Sequence, residues 1–139
     1  MEKYNQMKKR HETELNAFSG IFFAFSDKQF KEGMEKVDLT AGDTKKIWSL
    51  GGGGFILRDR AKEFNGLFEK RSKELSGALR DEAFLLDALT YELGNHEFCI
   101  TYDYEQTFDA LGITLEDIEK LPFGTEVLKK ARTRALGEC

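Results

Sequence analysis

Between Asp81 and Glu119 the chain has no lysine and no arginine across 39 residues, while that stretch carries eleven carboxylates. They are Asp81, Glu82, Asp87, Glu92, Glu97, Asp103, Glu105, Asp109, Glu116, Asp117 and Glu119. The rest of the 139-residue chain holds 14 acidic residues against 21 basic ones, so a net charge of −4 conceals a dipolar molecule. A folded segment with that field attracts cations, either a metal ion or a protein surface built to hold nucleic acid. Cysteine is scarce as well. Cys99 and Cys139 make no disulfide framework, and a cytoplasmic setting is expected. The polar, basic stretch from Met1 to Arg10 has no apolar run for a signal peptide or a membrane span, so no membrane partner is expected.

What is present suits one domain over residues 1–139, with 33% charged residues and twelve Phe for an aromatic core. Lys3 to Phe18 reads as a charged helix with a narrow stripe of Met7, Leu15 and Phe18. Gly20 to Phe25 is an apolar run of strand length, and the Ser26 and Gln29 spacing predicts a capped helix to about Val37. Ile47 to Leu50 and Phe55 to Arg58 predict a hairpin around Gly51 to Gly54. Asp59 is expected to cap a helix through Leu79, and a further helix should close in a left-handed turn at Gly94-Asn95. Phe98 to Thr101 reads as a short strand, and Asp103 with Gln106 as a capping pair. Gly112 should close the next helix, Thr114 and Asp117 open another, and Pro122 precede a last helix ending near Leu136. The expected class is α+β, mainly helical, with a small antiparallel sheet of two to four strands.

Potential ligands are densest in Gly94-Asn-His-Glu-Phe-Cys-Ile-Thr-Tyr-Asp103. His96 and Cys99, with two residues between them, can meet one zinc ion. A structural site wants four ligands, so the remainder would have to come from Glu92, Glu97, Asp103, His11 or Cys139. The other reading makes His96 a helix-end imidazole and Cys99 a small core residue. Nucleophilic chemistry at Cys99 is disfavoured, because surrounding carboxylates raise a thiol pKa. Gly51 to Gly54 lacks the Lys-Ser/Thr of a phosphate loop and runs on into a strand, which favours a hairpin turn. Phe108 to Ile118 imitates a helix-turn-helix, yet its second helix presents Glu116, Asp117 and Glu119, which phosphates repel. No direct DNA binding is expected. Carboxylates on adjacent helix turns lie about 5–6 Å apart, near the phosphate spacing of a strand, so such a surface can occupy a Lys/Arg-lined channel.

Phe23-Ala-Phe-Ser-Asp-Lys-Gln-Phe-Lys-Glu-Gly33, Gly51-Gly-Gly-Gly-Phe-Ile56, Tyr91-Glu-Leu-Gly-Asn-His-Glu-Phe-Cys-Ile-Thr101 and Asp109-Ala-Leu-Gly-Ile-Thr114 together resemble a family of small proteins of bacterial phages and integrative elements. Members often follow the glycine run with Ile-Arg-Lys, where this chain has Ile56-Leu57-Arg58. The resemblance implies no activity but a context, since small acidic proteins of that origin include anti-CRISPR inhibitors that bind a nuclease complex. The leading expectation is therefore a non-enzymatic, anti-CRISPR-like protein, cytoplasmic in a bacterial host. It would block loading of target DNA on a host CRISPR nuclease through Glu105, Asp109, Glu116, Asp117 and Glu119. A zinc-binding structural module at His96 and Cys99 is the second expectation, and a metal-dependent hydrolase at the same cluster the third.

Overall fold

Ser26 sits in extended backbone and its hydroxyl accepts from the Gln29 amide at 3.2 Å, while the Gln29 side chain accepts from the Phe25 amide at 2.8 Å. This reciprocal cap starts α2, Asp27–Lys36. A computed structural model describes residues 2–139. Ahead of α2 lie α1, Tyr4–Asn16, and β1, Ile21–Phe23; after it come β2, Ile47–Gly51, and β3, Gly54–Leu57. The helices α3, Ala61–Ala78; α4, Glu82–Asn95; α5, Phe98–Thr101; α6, Glu105–Leu111; α7, Leu115–Lys120; and α8, Gly124–Leu136, complete the described residues. The fold is mainly helical with one antiparallel sheet of three strands in the order β1-β3-β2.

Contacts divide the chain into two compact units, Met1–Glu12 with Lys70–Cys139, and Thr13–Glu69. The division falls within α1 and α3. In Thr13–Glu69, Phe22, Met34 and Ile47 form a core, with Phe30 and Phe55 packed against it. Gly33 is required there, because a Cβ would strike the ring of Phe22. The larger unit buries Leu85, Ala88, Leu89 and Leu93 of α4 against Val127, Ala131 and Ala135 of α8. Their i, i+3, i+4 and i+4, i+8 spacings give each helix one continuous buried face. Gly124 opens α8 where a Cβ would fall on the Ile118 carbonyl, so the end of α7 meets the start of α8 backbone to backbone.

Several local expectations change. Phe98 to Thr101 is a helical turn, because Phe98 is drawn into the core and the turn is bracketed by left-handed Glu97 and Tyr102, at φ 54° and 56°. The left-handed residue after α4 is Glu97, and not Gly94 or Asn95. Asp59 lies inside a 3-10 turn, Arg58–Arg60, ahead of α3 and makes no side-chain cap. The expected Asp103 and Gln106 capping pair does not form: Tyr104 is the N-cap of α6 with no side-chain bond, and Asp103 accepts from the Glu105 amide at 2.9 Å just ahead of the helix. The buried stripe of α1 is Tyr4, Met7 and His11, one turn apart each, in place of Met7, Leu15 and Phe18.

Candidate functional site

The anionic segment spans α4 to α7, and its eleven carboxylates have two fates. Five serve the fold. Asp81 caps α4 by accepting from the Phe84 amide, Asp87 accepts from the Tyr4 amide, and Asp103 accepts from the Glu105 amide. Asp117 forms a capping box with Thr114, whose backbone amide holds the carboxyl below the usual range. Glu92 is buried. The remaining six, Glu82, Glu97, Glu105, Asp109, Glu116 and Glu119, are exposed, and no ion pair among the described residues involves them. Glu105 and Asp109 are i, i+4 on α6, and Glu116 and Glu119 are i, i+3 on α7, so each pair shares a side of its helix. Of the five residues singled out for partner binding, four are therefore exposed and, among the described residues, outside any ion pair; Asp117 is exposed but tied to its cap.

The buried Glu92 is the centre of a polar quartet that sequence reading did not assemble. The carboxylate is 0% exposed. Its Oε1 accepts from the Tyr4 hydroxyl at 2.6 Å and from Lys8 Nζ at 2.8 Å. Its Oε2 lies 3.1 Å from His96 Nε2, within ion-pair range but off the line of a directed hydrogen bond. Burial pushes the Glu92 carboxyl up, and the hydrogen bonds from Lys8 and Tyr4 outweigh it, holding the group below its ordinary value. Burial, then the Glu92 carboxylate, raises the Tyr4 phenol far above its usual range. Lys8 also lies over the ring of Tyr91, 5.0 Å from its centroid.

The expected zinc ligands do not converge. His96 and Glu92 meet as described. Cys99 is bonded to Cys139, 40 positions away, so it presents no thiolate to a metal ion. That bond also corrects the expectation that the two cysteines give no disulfide, and it removes the ground for expecting a cytoplasmic setting. His11 faces Glu74, with Nε2 2.8 Å from Oε1, and Glu74 also takes a hydrogen bond from Arg10. Those two bonds, Arg10 first, hold the Glu74 carboxyl below its usual range. Asp103 holds the Glu105 amide. Among the described residues, no group of three His, Cys, Asp or Glu side chains is placed to hold a metal ion.

The four glycines of the hairpin have conformational and steric reasons. Gly51, Gly52 and Gly53 have φ of 80°, 55° and 82°, the left-handed region that lacks a Cβ penalty only for glycine. A Cβ on Gly53 would lie 2.5 Å from the Phe25 ring and one on Gly54 3.1 Å from Phe23. The loop is thus packed by its own unit's aromatics. No helix among the described residues is long and apolar enough to cross a membrane.

A family model matches residues 3–134, with the description "Family of unknown function (DUF7659)". No curated protein and no solved structure matches.

Proposed function

Because this chain belongs to the family of unknown function DUF7659, whose description assigns no activity, we propose its function from the site alone: a non-enzymatic protein that occupies a basic, nucleic-acid-binding surface of a partner. The specific form is an anti-CRISPR-like inhibitor that binds a host CRISPR nuclease and blocks target DNA loading. One observation carries the reading: Glu105, Asp109, Glu116 and Glu119 stand exposed on consecutive helices and, among the described residues, in no ion pair, within a 39-residue stretch that has no Lys or Arg before Lys120. Stability alone does not call for such a surface, since like charges repel. A channel lined with Lys and Arg releases that repulsion on contact, and the long-range field speeds the encounter. The choice of a nuclease as partner follows from the context that the sequence resemblance implies, and the electrostatics supports the wider class of basic partner.

The test is recovery of partners from host lysate with the native chain and with a variant carrying Glu105→Lys, Asp109→Lys and Glu116→Lys. A nucleic-acid enzyme should be retained by the native chain, released by salt and lost with the variant. Glu105 and Glu116 lie in first helical turns, where reversal costs about 0.3–1 kcal/mol each through the helix dipole, so circular dichroism must first show the variant folded. Equal retention by both proteins rejects the reading.

A further inference from the structure

In the unit of Met1–Glu12 and Lys70–Cys139, the most exposed large apolar side chains among the described residues are Ile100 and Tyr102, at 69% and 62%. Both belong to the α5 turn or its end, and that turn is fixed from beneath. Phe98 is 1% exposed and stacks on Tyr104 with ring centroids 4.8 Å apart. The Arg132 guanidinium lies 5.8 Å from the same Phe98 ring. Cys99 is bonded to Cys139. The inner side of the turn is therefore held by packing and by a covalent bond, while its outer side offers an isoleucine and a tyrosine to water.

Glu97 and Tyr102 bracket the turn in left-handed backbone, a conformation that disfavours any residue with a Cβ. An isolated protein gains nothing from holding two apolar side chains outward, whereas a partner's pocket recovers their burial. Exposed carboxylates decide what kind of pocket. Glu97 precedes the turn, and Asp103 and Glu105 follow it, all at the surface. Together they repel DNA, RNA and anionic lipid, and favour a surface bearing Lys and Arg.

We propose that the α5 turn is the docking element of this protein, with Ile100 and Tyr102 filling an apolar pocket rimmed by Lys and Arg on a partner protein. The proposal rests on the acidic-surface reading above and names its anchors. The two apolar side chains form the dry centre of the contact, where truncation costs most, and the carboxylates form the rim that steers and orients. Because the turn is already fixed, little ordering is lost on binding.

Two synthetic peptides of equal positive charge test it by fluorescence anisotropy: an amphipathic helix of Lys and Leu, and oligolysine. The native chain should bind the Lys/Leu peptide more tightly than oligolysine, and more tightly at low salt. Ile100→Ser with Tyr102→Ser should weaken that binding about tenfold or more, and leave oligolysine binding unchanged. Ile100→Ser alone should weaken it in part, which guards against a fold effect through the Tyr102 and Phe98 rings, 5.9 Å apart. If the charge-reversed variant loses binding while the Ile100 and Tyr102 variants keep it, the anchor role is overturned and the acidic reading survives. If neither set loses binding, both are overturned. Binding of the native chain to anionic vesicles or single-stranded DNA as tight as to the Lys/Leu peptide would overturn the partner class.

Discussion

Glu92 shows how far one side chain's state depends on one neighbour. Its lowered pKa means that its ion pair stabilises the fold fully above the ordinary carboxylate range, and that this contribution fades as pH falls through the lowered value. Replacing Lys8 by Met removes the cation and leaves burial opposed chiefly by the Tyr4 hydroxyl, so the carboxyl should then titrate higher than in the native chain. We expect K8M to lose about 3 kcal/mol near neutrality, the scale for a buried charge left unpaired. The deficit should shrink towards about pH 4, as the carboxyl takes up its proton. Urea titrations at the two pH values measure both effects, and a deficit independent of pH would show that Glu92 is not the titrating group. At Glu97, whose φ is 54°, glycine relieves the left-handed penalty, and E97G should stabilise the fold by about 0.5–1 kcal/mol. The quartet was half legible in the sequence: Glu92 and His96 are i, i+4 neighbours, as are Tyr4 and Lys8, but the two pairs meet only through tertiary packing.

Elements announced by local chemistry were the readable ones. The Ser26 and Thr114 caps, the glycine-rich hairpin and the stop at Gly112 each depend on a few adjacent residues, and the structure has all of them. The α5 turn failed because Phe-Cys-Ile-Thr has strand chemistry, and a buried phenylalanine and a disulfide override it. A stripe containing a tyrosine and a histidine was missed in α1 because polar types were not counted as core. Two glycines make opposite predictions. Gly124→Ala places a methyl on the Ile118 carbonyl and should cost about 1–3 kcal/mol. Gly66→Ala, inside α3 with nothing within 4 Å of the new methyl, should gain up to about 1 kcal/mol. Thermal melts of the two variants should move in opposite directions. The disulfide spans 40 positions, and opening it should cost about 4 kcal/mol by loop entropy. A melting temperature unchanged by reductant would show that the bond does not constrain the chain.

For the molecule as a whole, charge was the part of the candidate site visible in advance. A count of residues located the anionic stretch, and the structure adds which carboxylates are spent on caps and which remain. The exposed Ile100 and Tyr102 could not be counted in this way, since apolar residues are expected inside. The strand order has a consequence for synthesis. β1 leaves the ribosome first, yet its only partner in the sheet is β3, the last strand made. Until Gly54–Leu57 emerges, the nascent chain carries Phe22, Phe23 and Phe25 in and beside a strand without its partner, the kind of exposed apolar segment that is prone to aggregate. The β2–β3 hairpin closes over a short loop and can form at once, so β1 is translated first and locked last.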